Sequence, residues 1–123
     1  MNSFSNQGRQ MSDFVSIYSK IIDKLPEADI SFRGVAGKIL QGESSQLVFM
    51  EIEPIGEVPP HAHGAQWGVV IDGEMELTIG GETKIYRKGD HYFIPAGVMH
   101  SARFNSKVFV VDYFEDKNRY NSK

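Results

Sequence analysis

The sequence contains no cysteine. That removes disulfides and thiolate metal ligands together, and any metal has to be held by nitrogen and oxygen. Histidine is scarce, with four residues, and tryptophan occurs once, at Trp67. No apolar run approaches the roughly 20 residues that a membrane span requires. The N-terminus carries no charged-then-apolar leader pattern, so the expected setting is cytoplasmic and away from membranes. No dense basic stripe is present and the net charge is −3, which argues against nucleic acid as a partner. What is there fits one compact domain: 123 residues, 41% hydrophobic and 24% charged, enough to build a core and an ordinary soluble surface.

Residues 1–11 are polar and mixed and read as a flexible N-terminal tail, leaving 12–123 as a single domain. Over Ser12 to Leu25 the apolar residues Phe14, Ile17, Ile21 and Leu25 recur at three- and four-residue steps behind a capping serine, which predicts a short helix stopped by Pro26. A strand is the rival for the same stretch. From Val35 onward the pattern changes to short apolar runs broken by turn residues. The predicted strands are 35–40, 46–53, 60–63, 66–71, 74–79, 82–86, 91–94, 100–104 and 108–114. Strands at this spacing predict an all-β sandwich or barrel. No helical stretch separates them, which argues against a parallel α/β sheet. Asp72-Gly73 and Gly80-Gly81 are expected to close two-residue hairpins. Met75, Leu77 and Ile79 alternate with Glu74, Glu76 and Thr78, core against solvent. The polar end, Glu115 to Lys123, is expected to cross the barrel mouth or fray.

Two of the four histidines form His61-Ala62-His63. Residues two apart on a strand face the same way, so both imidazoles can reach one ion. Gly64 and Ala65 can then turn the chain and bring Gln66 beside the pair. His100 follows Pro95-Ala96-Gly97 and opens a further strand. Three neutral nitrogens and one amide oxygen suit a single divalent transition metal: Mn, Fe, Co, Ni or Zn. His91 is expected on the surface, outside this set. Trp67 is out of phase with Gln66 and should point away from the metal, toward a second subunit.

The segment PPHAHGAQWGVVIDGEMELTIGG resembles the first motif of the cupins: a histidine pair, an acidic residue, six residues and a glycine. Gln66 stands at the acidic position and Gly73 follows after six residues. GDHYFIPAGVMH resembles the second motif, with Gly89, Pro95, Gly97 and His100 in place. The resemblance covers about 35–114 and implies a cupin jelly-roll β-barrel. This chain departs from the pattern at three points. Gly56 precedes His61 by five residues where the family has six. Phe104 stands where the family has asparagine. Gln66 replaces glutamate, which leaves the ion more of its own positive charge and favours Lewis-acid chemistry over oxygenation.

The three-histidine, one-glutamine ligand set is similar to that of the small cupins of pectin breakdown, which open or tautomerise unsaturated uronate sugars. They also carry an Asp-x-Phe on the last strand and an arginine after it. Asp112-Tyr113-Phe114 matches the first part, and Arg119 falls one residue later than the pattern. The resemblance implies a metal-dependent isomerase, tautomerase or lyase acting on a small polar carbonyl compound such as a sugar acid. In that reading Asp112 is the general base, and Phe104, Phe114 and Arg119 contact substrate. An Fe- or Mn-dependent dioxygenase and a non-catalytic sensing module are the alternatives. A homodimer is the expected assembly.

Overall fold

The computed structural model describes residues 17–123; the expected tail and the first part of the expected helix lie outside them. The described part of that helix is one turn, α1 (Lys20–Asp23). Ile17 and Ile21 are exposed at 51% and 74%, so among the described residues this segment buries no apolar stripe of the kind that sustains a helix. Tyr18 is the anchor of this segment. Its hydroxyl donates to the Met50 and Val110 carbonyls at 3.0 and 2.8 Å, and its ring meets Phe49 and Phe109 edge-on.

Nine strands follow: β1 (Val35–Gln41), β2 (Gln46–Ile52), β3 (Gly56–His61), β4 (Gln66–Asp72), β5 (Glu74–Ile79), β6 (Glu82–Arg87), β7 (His91–Ile94), β8 (His100–Phe104) and β9 (Val108–Phe114). They form two antiparallel sheets, ordered β1-β2-β9-β4-β7 and β3-β8-β5-β6. The core lies between the sheets. On β9 the alternation is clean: Val108, Val110, Asp112 and Phe114 are buried, whereas Tyr113 is exposed. Phe109 faces outward and is nonetheless buried, because Tyr18 covers it. Met75 and Leu77 enter the core from the opposite sheet. No helix among the described residues is long and apolar enough to cross a membrane.

Two expectations are corrected. Gly80-Gly81 does close a hairpin, with Ile79 opposite Glu82 and both glycines at positive φ. Asp72-Gly73 does not: β4 pairs with β7 and β9, while β5 pairs with β6 and β8. The turn hands the chain from one sheet to the other. Gly73 has a φ of 88°, and a Cβ there would lie 2.4 Å from the Lys107 carbonyl oxygen, so glycine is needed for both conformation and room. The third strand was expected over 60–63 and runs Gly56–His61 instead. Pro59 and Pro60 fit inside it because β3 is an edge strand, paired only with β8 through an irregular register between Val58 and His61, where a missing N–H costs no ladder bond.

The C-terminal segment crosses and does not fray. Glu115 and Asp116 accept the Ala65 and Gly64 amides. Gln46, only 2% exposed, donates its amide to the Tyr120 carbonyl at 2.7 Å and accepts the Tyr120 N–H at 3.1 Å. Ala28 and Ser122 form a bridge, and the Lys123 N–H donates to the Glu27 carbonyl.

Candidate metal centre

Three elements deliver the histidines. His61 ends β3 and His100 opens β8, and the two are cross-strand partners. His63 sits past the end of β3, in the turn toward β4, so strand alternation is not what aligns it with His61. Its backbone carbonyl accepts the Gly97 N–H at 2.9 Å. That bond ties the turn carrying His63 to the Pro95–Gly97 turn that introduces His100.

The three rings share one hydrogen-bond scheme. Nδ1 of His61, His63 and His100 lies 2.9, 2.9 and 3.0 Å from the carbonyls of Pro59, Gly64 and Val98. A carbonyl only accepts, so each Nδ1 carries the hydrogen and each Nε2 keeps a lone pair. Nε2 of His63 and of His100 are buried with no partner. Orphaned buried acceptors of this kind need an explanation. Each of the three rings has a ligand nitrogen within 4.8 Å of the others'. Burial lowers the pKa of both His63 and His100, with the positive charge of Arg119 adding to the effect. Both imidazoles are thus held in the neutral form a metal requires. The donor set fits a divalent transition metal: fixed tautomers, burial that keeps His63 and His100 neutral, and Nε2 lone pairs left free to bind.

Gln66, the first residue of β4, lines the same cavity of about 530 Å³. Asp112 lines that cavity as well. Asp112 is 4% exposed on β9, and its Oδ1 accepts the Tyr92 hydroxyl at 2.6 Å. Burial pushes the Asp112 carboxyl up to about 6, against the opposing pull of the Tyr92 and Gln66 hydrogen bonds and of Arg119. Burial and the facing Asp112 charge drive the Tyr92 phenol well above its usual value.

The Tyr92–Asp112 bond spans two strands. Gly68 on β4 is the cross-strand partner of Tyr92 on β7 and of Asp112 on β9. A Cβ at Gly68 would lie 2.2 Å from Asp112 Oδ1 and 2.3 Å from the Tyr92 ring. Only glycine lets the phenol pass across the middle strand.

Arg119 reaches the cavity from the C-terminal segment. Its guanidinium lies 4.5 Å from the Tyr120 ring centroid and 5.7 Å from that of Phe114, and its Nε is buried without a partner. Phe104 and Phe114 are buried cavity walls, and the Phe114 ring stands edge-on to His63 at 5.7 Å. His91 lies outside the site, stacked on Trp67 with centroids 6.0 Å apart, and Trp67 is 41% exposed on the outer sheet face. The residues expected at the site therefore line one cavity. Tyr92 and Gly68 had not been foreseen. Burial parity on β7 marks Tyr92 as inward, but its partner is visible only through the register of three strands.

A family model described as a cupin domain matches residues 48–113. No curated protein matches the sequence. Among solved structures, an RmlC-like cupin from Shewanella frigidimarina NCIMB 400 is 26% identical, with 76% of this chain and 86% of that one covered and a TM-score of 0.67. KdgF from a Halomonas species is 22% identical, covering 74% and 87%, with a TM-score of 0.63. An oxalate decarboxylase from Bacillus subtilis, a protein with Mn(II) centres, is 22% identical with a TM-score of 0.64; the match takes in 79% of this chain and 29% of that one.

Proposed function

The chain belongs to the cupin-domain family, and on that footing we propose that it binds one divalent transition metal through His61, His63, His100 and Gln66 and acts on a small polar carbonyl compound with an acidic group. The carrying observation is the shared Nδ1-to-carbonyl pattern, which leaves two buried Nε2 atoms orphaned at one point. When bound, the ion supplies Lewis-acid polarisation of a carbonyl. Arg119, whose buried Nε has no partner, is suited to hold the acidic group of a substrate. Asp112, with its carboxyl raised to about 6, is suited to take and return a proton near neutral pH. Phe104 and Phe114 keep water from that exchange. The reaction class is isomerisation, tautomerisation or elimination on a sugar acid or a compound like it.

The same proposal includes a homodimer through the outer face of the five-stranded sheet. There Leu40, Leu47, Tyr113, Trp67 and Phe93 fall into one cross-strand row, and all but Leu47 are exposed large hydrophobics. Light scattering tests that part.

The metal reading is tested by elemental analysis of purified wild type and His61→Ala. The expected result is one transition metal per chain in the first and loss of it in the second; equal metal content in both would sink the assignment. Turnover of sugar acids under air and under argon then separates the chemistries. A strict oxygen requirement would replace the Lewis-acid reading with a dioxygenase.

A further inference from the structure

The three histidines occupy one end of a cavity that runs on between the sheets. On β8, His100 pairs with His61 at one end and Phe104 with Gly56 at the other, and that length of strand sets the two ends ~13 Å apart. On the facing sheet, Gln66 and Gln46 both pair with Phe114 at one end, while Ile52 pairs with Val35 and Val108 at the other. The Phe114 ring against His63 aligns the Gln66 end with the histidine end. Arg119 lies over the same Phe114 ring, and Asp112 is two residues from Phe114 on β9. The ionisable groups described above are thus gathered at one end.

The far half is different in kind. Val35, Ile52, Val58, Leu77, Ala102 and Phe104 line it, and Phe32, 40% exposed, stands at its rim. The polar residues that line this half are Asp29 and Ser31, both exposed on the segment that leads into β1. A hydroxyl carried in among those apolar side chains loses its water without gaining a partner, whereas a hydrocarbon gains from the burial. A sugar acid bears hydroxyls on most of its carbons, so it suits the polar end alone. We infer that the far half is a subsite for an apolar substituent, and that the substrate is a carbonyl acid with a hydrocarbon tail, its head at the histidines and its tail between Ile52, Phe104 and Phe32. The inference rests on the metal reading for the head and narrows the substrate class of the same site.

The test is calorimetric titration of the purified protein with pyruvate, 2-oxopentanoate and 2-oxooctanoate, with galacturonate alongside. Affinity should rise about fourfold for each methylene that the cavity buries, and 2-oxooctanoate should bind more tightly than galacturonate. Ala102 shares the inward face of β8 with His100 and Phe104 and is the cross-strand partner of Val58 and Leu77. Ala102→Phe should therefore fill the subsite, abolishing the gain with chain length while pyruvate binds as before. Phe32→Ser, at the exposed rim, should weaken 2-oxooctanoate about 10-fold, the loss expected when one large apolar contact goes, and leave pyruvate unchanged. An affinity that is flat along the series, tighter binding of galacturonate, or a gain that survives in Ala102→Phe would overturn the inference. If Ala102→Phe does not fold, Phe32→Ser decides, and an undiminished gain overturns the inference equally. His61→Ala should weaken every member of the series alike and keep the gain. A His61→Ala protein that binds the whole series as wild type does would strike the metal reading and leave the apolar subsite standing.

Discussion

At the scale of single residues, the inner wall of the site is set by a side chain that is missing. Gly68 leaves the space through which Tyr92 meets Asp112. Gly68→Ala should destabilise the protein by about 1–3 kcal/mol, as overpacking of a tight interior does, and urea unfolding measures it; a variant as stable as wild type would mean that the wall can give. Asp112 also carries a pH signature. Its carboxyl is raised from 3.8 to about 6 in the folded chain, so the native state holds that proton more tightly than the unfolded one. The contribution favours folding below the unfolded value and is lost as pH rises through about 6. Asp112→Asn cannot ionise and escapes that loss. In metal-free protein the stability of the variant relative to wild type should therefore climb between pH of about 4 and about 7, and a flat difference would contradict the assignment. Four of the site residues were legible because the spacing of His61, His63, Gln66 and His100 carries the cupin motifs. Tyr92 was not, because a hydroxyl 20 positions from its partner leaves no local mark in the sequence.

At the scale of elements, strands bounded by alternation and turn pairs were readable, and the exceptions share one cause. Asp72-Gly73 has hairpin composition, but whether two flanking strands pair with each other or join different sheets is decided by their other neighbours. Pro59-Pro60 has the composition of a break, yet an edge position accepts it. The C-terminal segment depends on contacts equally remote in sequence. Gln46 reads both backbone groups of Tyr120 and thereby fixes the stretch that carries Arg119. Gln46→Leu strands those two groups, which should cost about 1–3 kcal/mol. It should also speed hydrogen exchange at Tyr120 and its neighbours while leaving β5 and β6 protected. Unchanged exchange at Tyr120 would show that the bridge at Ser122 suffices to hold the segment.

At the scale of the whole molecule, the proposed ion would act as a fastener between the two motifs, since His61 ends β3, His63 lies in the turn that follows it and His100 opens β8. Anything that binds only the native state stabilises it by mass action. Free metal at about 1,000 times its dissociation constant adds ~4 kcal/mol, a rise in Tm of roughly 15 °C for a domain of this size. A chelator should remove that rise from wild type and change nothing in His61→Ala; a chelator-insensitive Tm in wild type would contradict it.

The edge strand β3 has one more effect at this scale. A sheet margin normally offers a ladder of open amide hydrogens to any extended chain that drifts past. Pro59 and Pro60 both lack that hydrogen; because successive amides on a strand face opposite sides, one of the two takes a rung from the open edge, and a stray β-chain loses purchase there. The dipeptide that leads into His61 thus also guards the rim of the cavity against fibril-like growth.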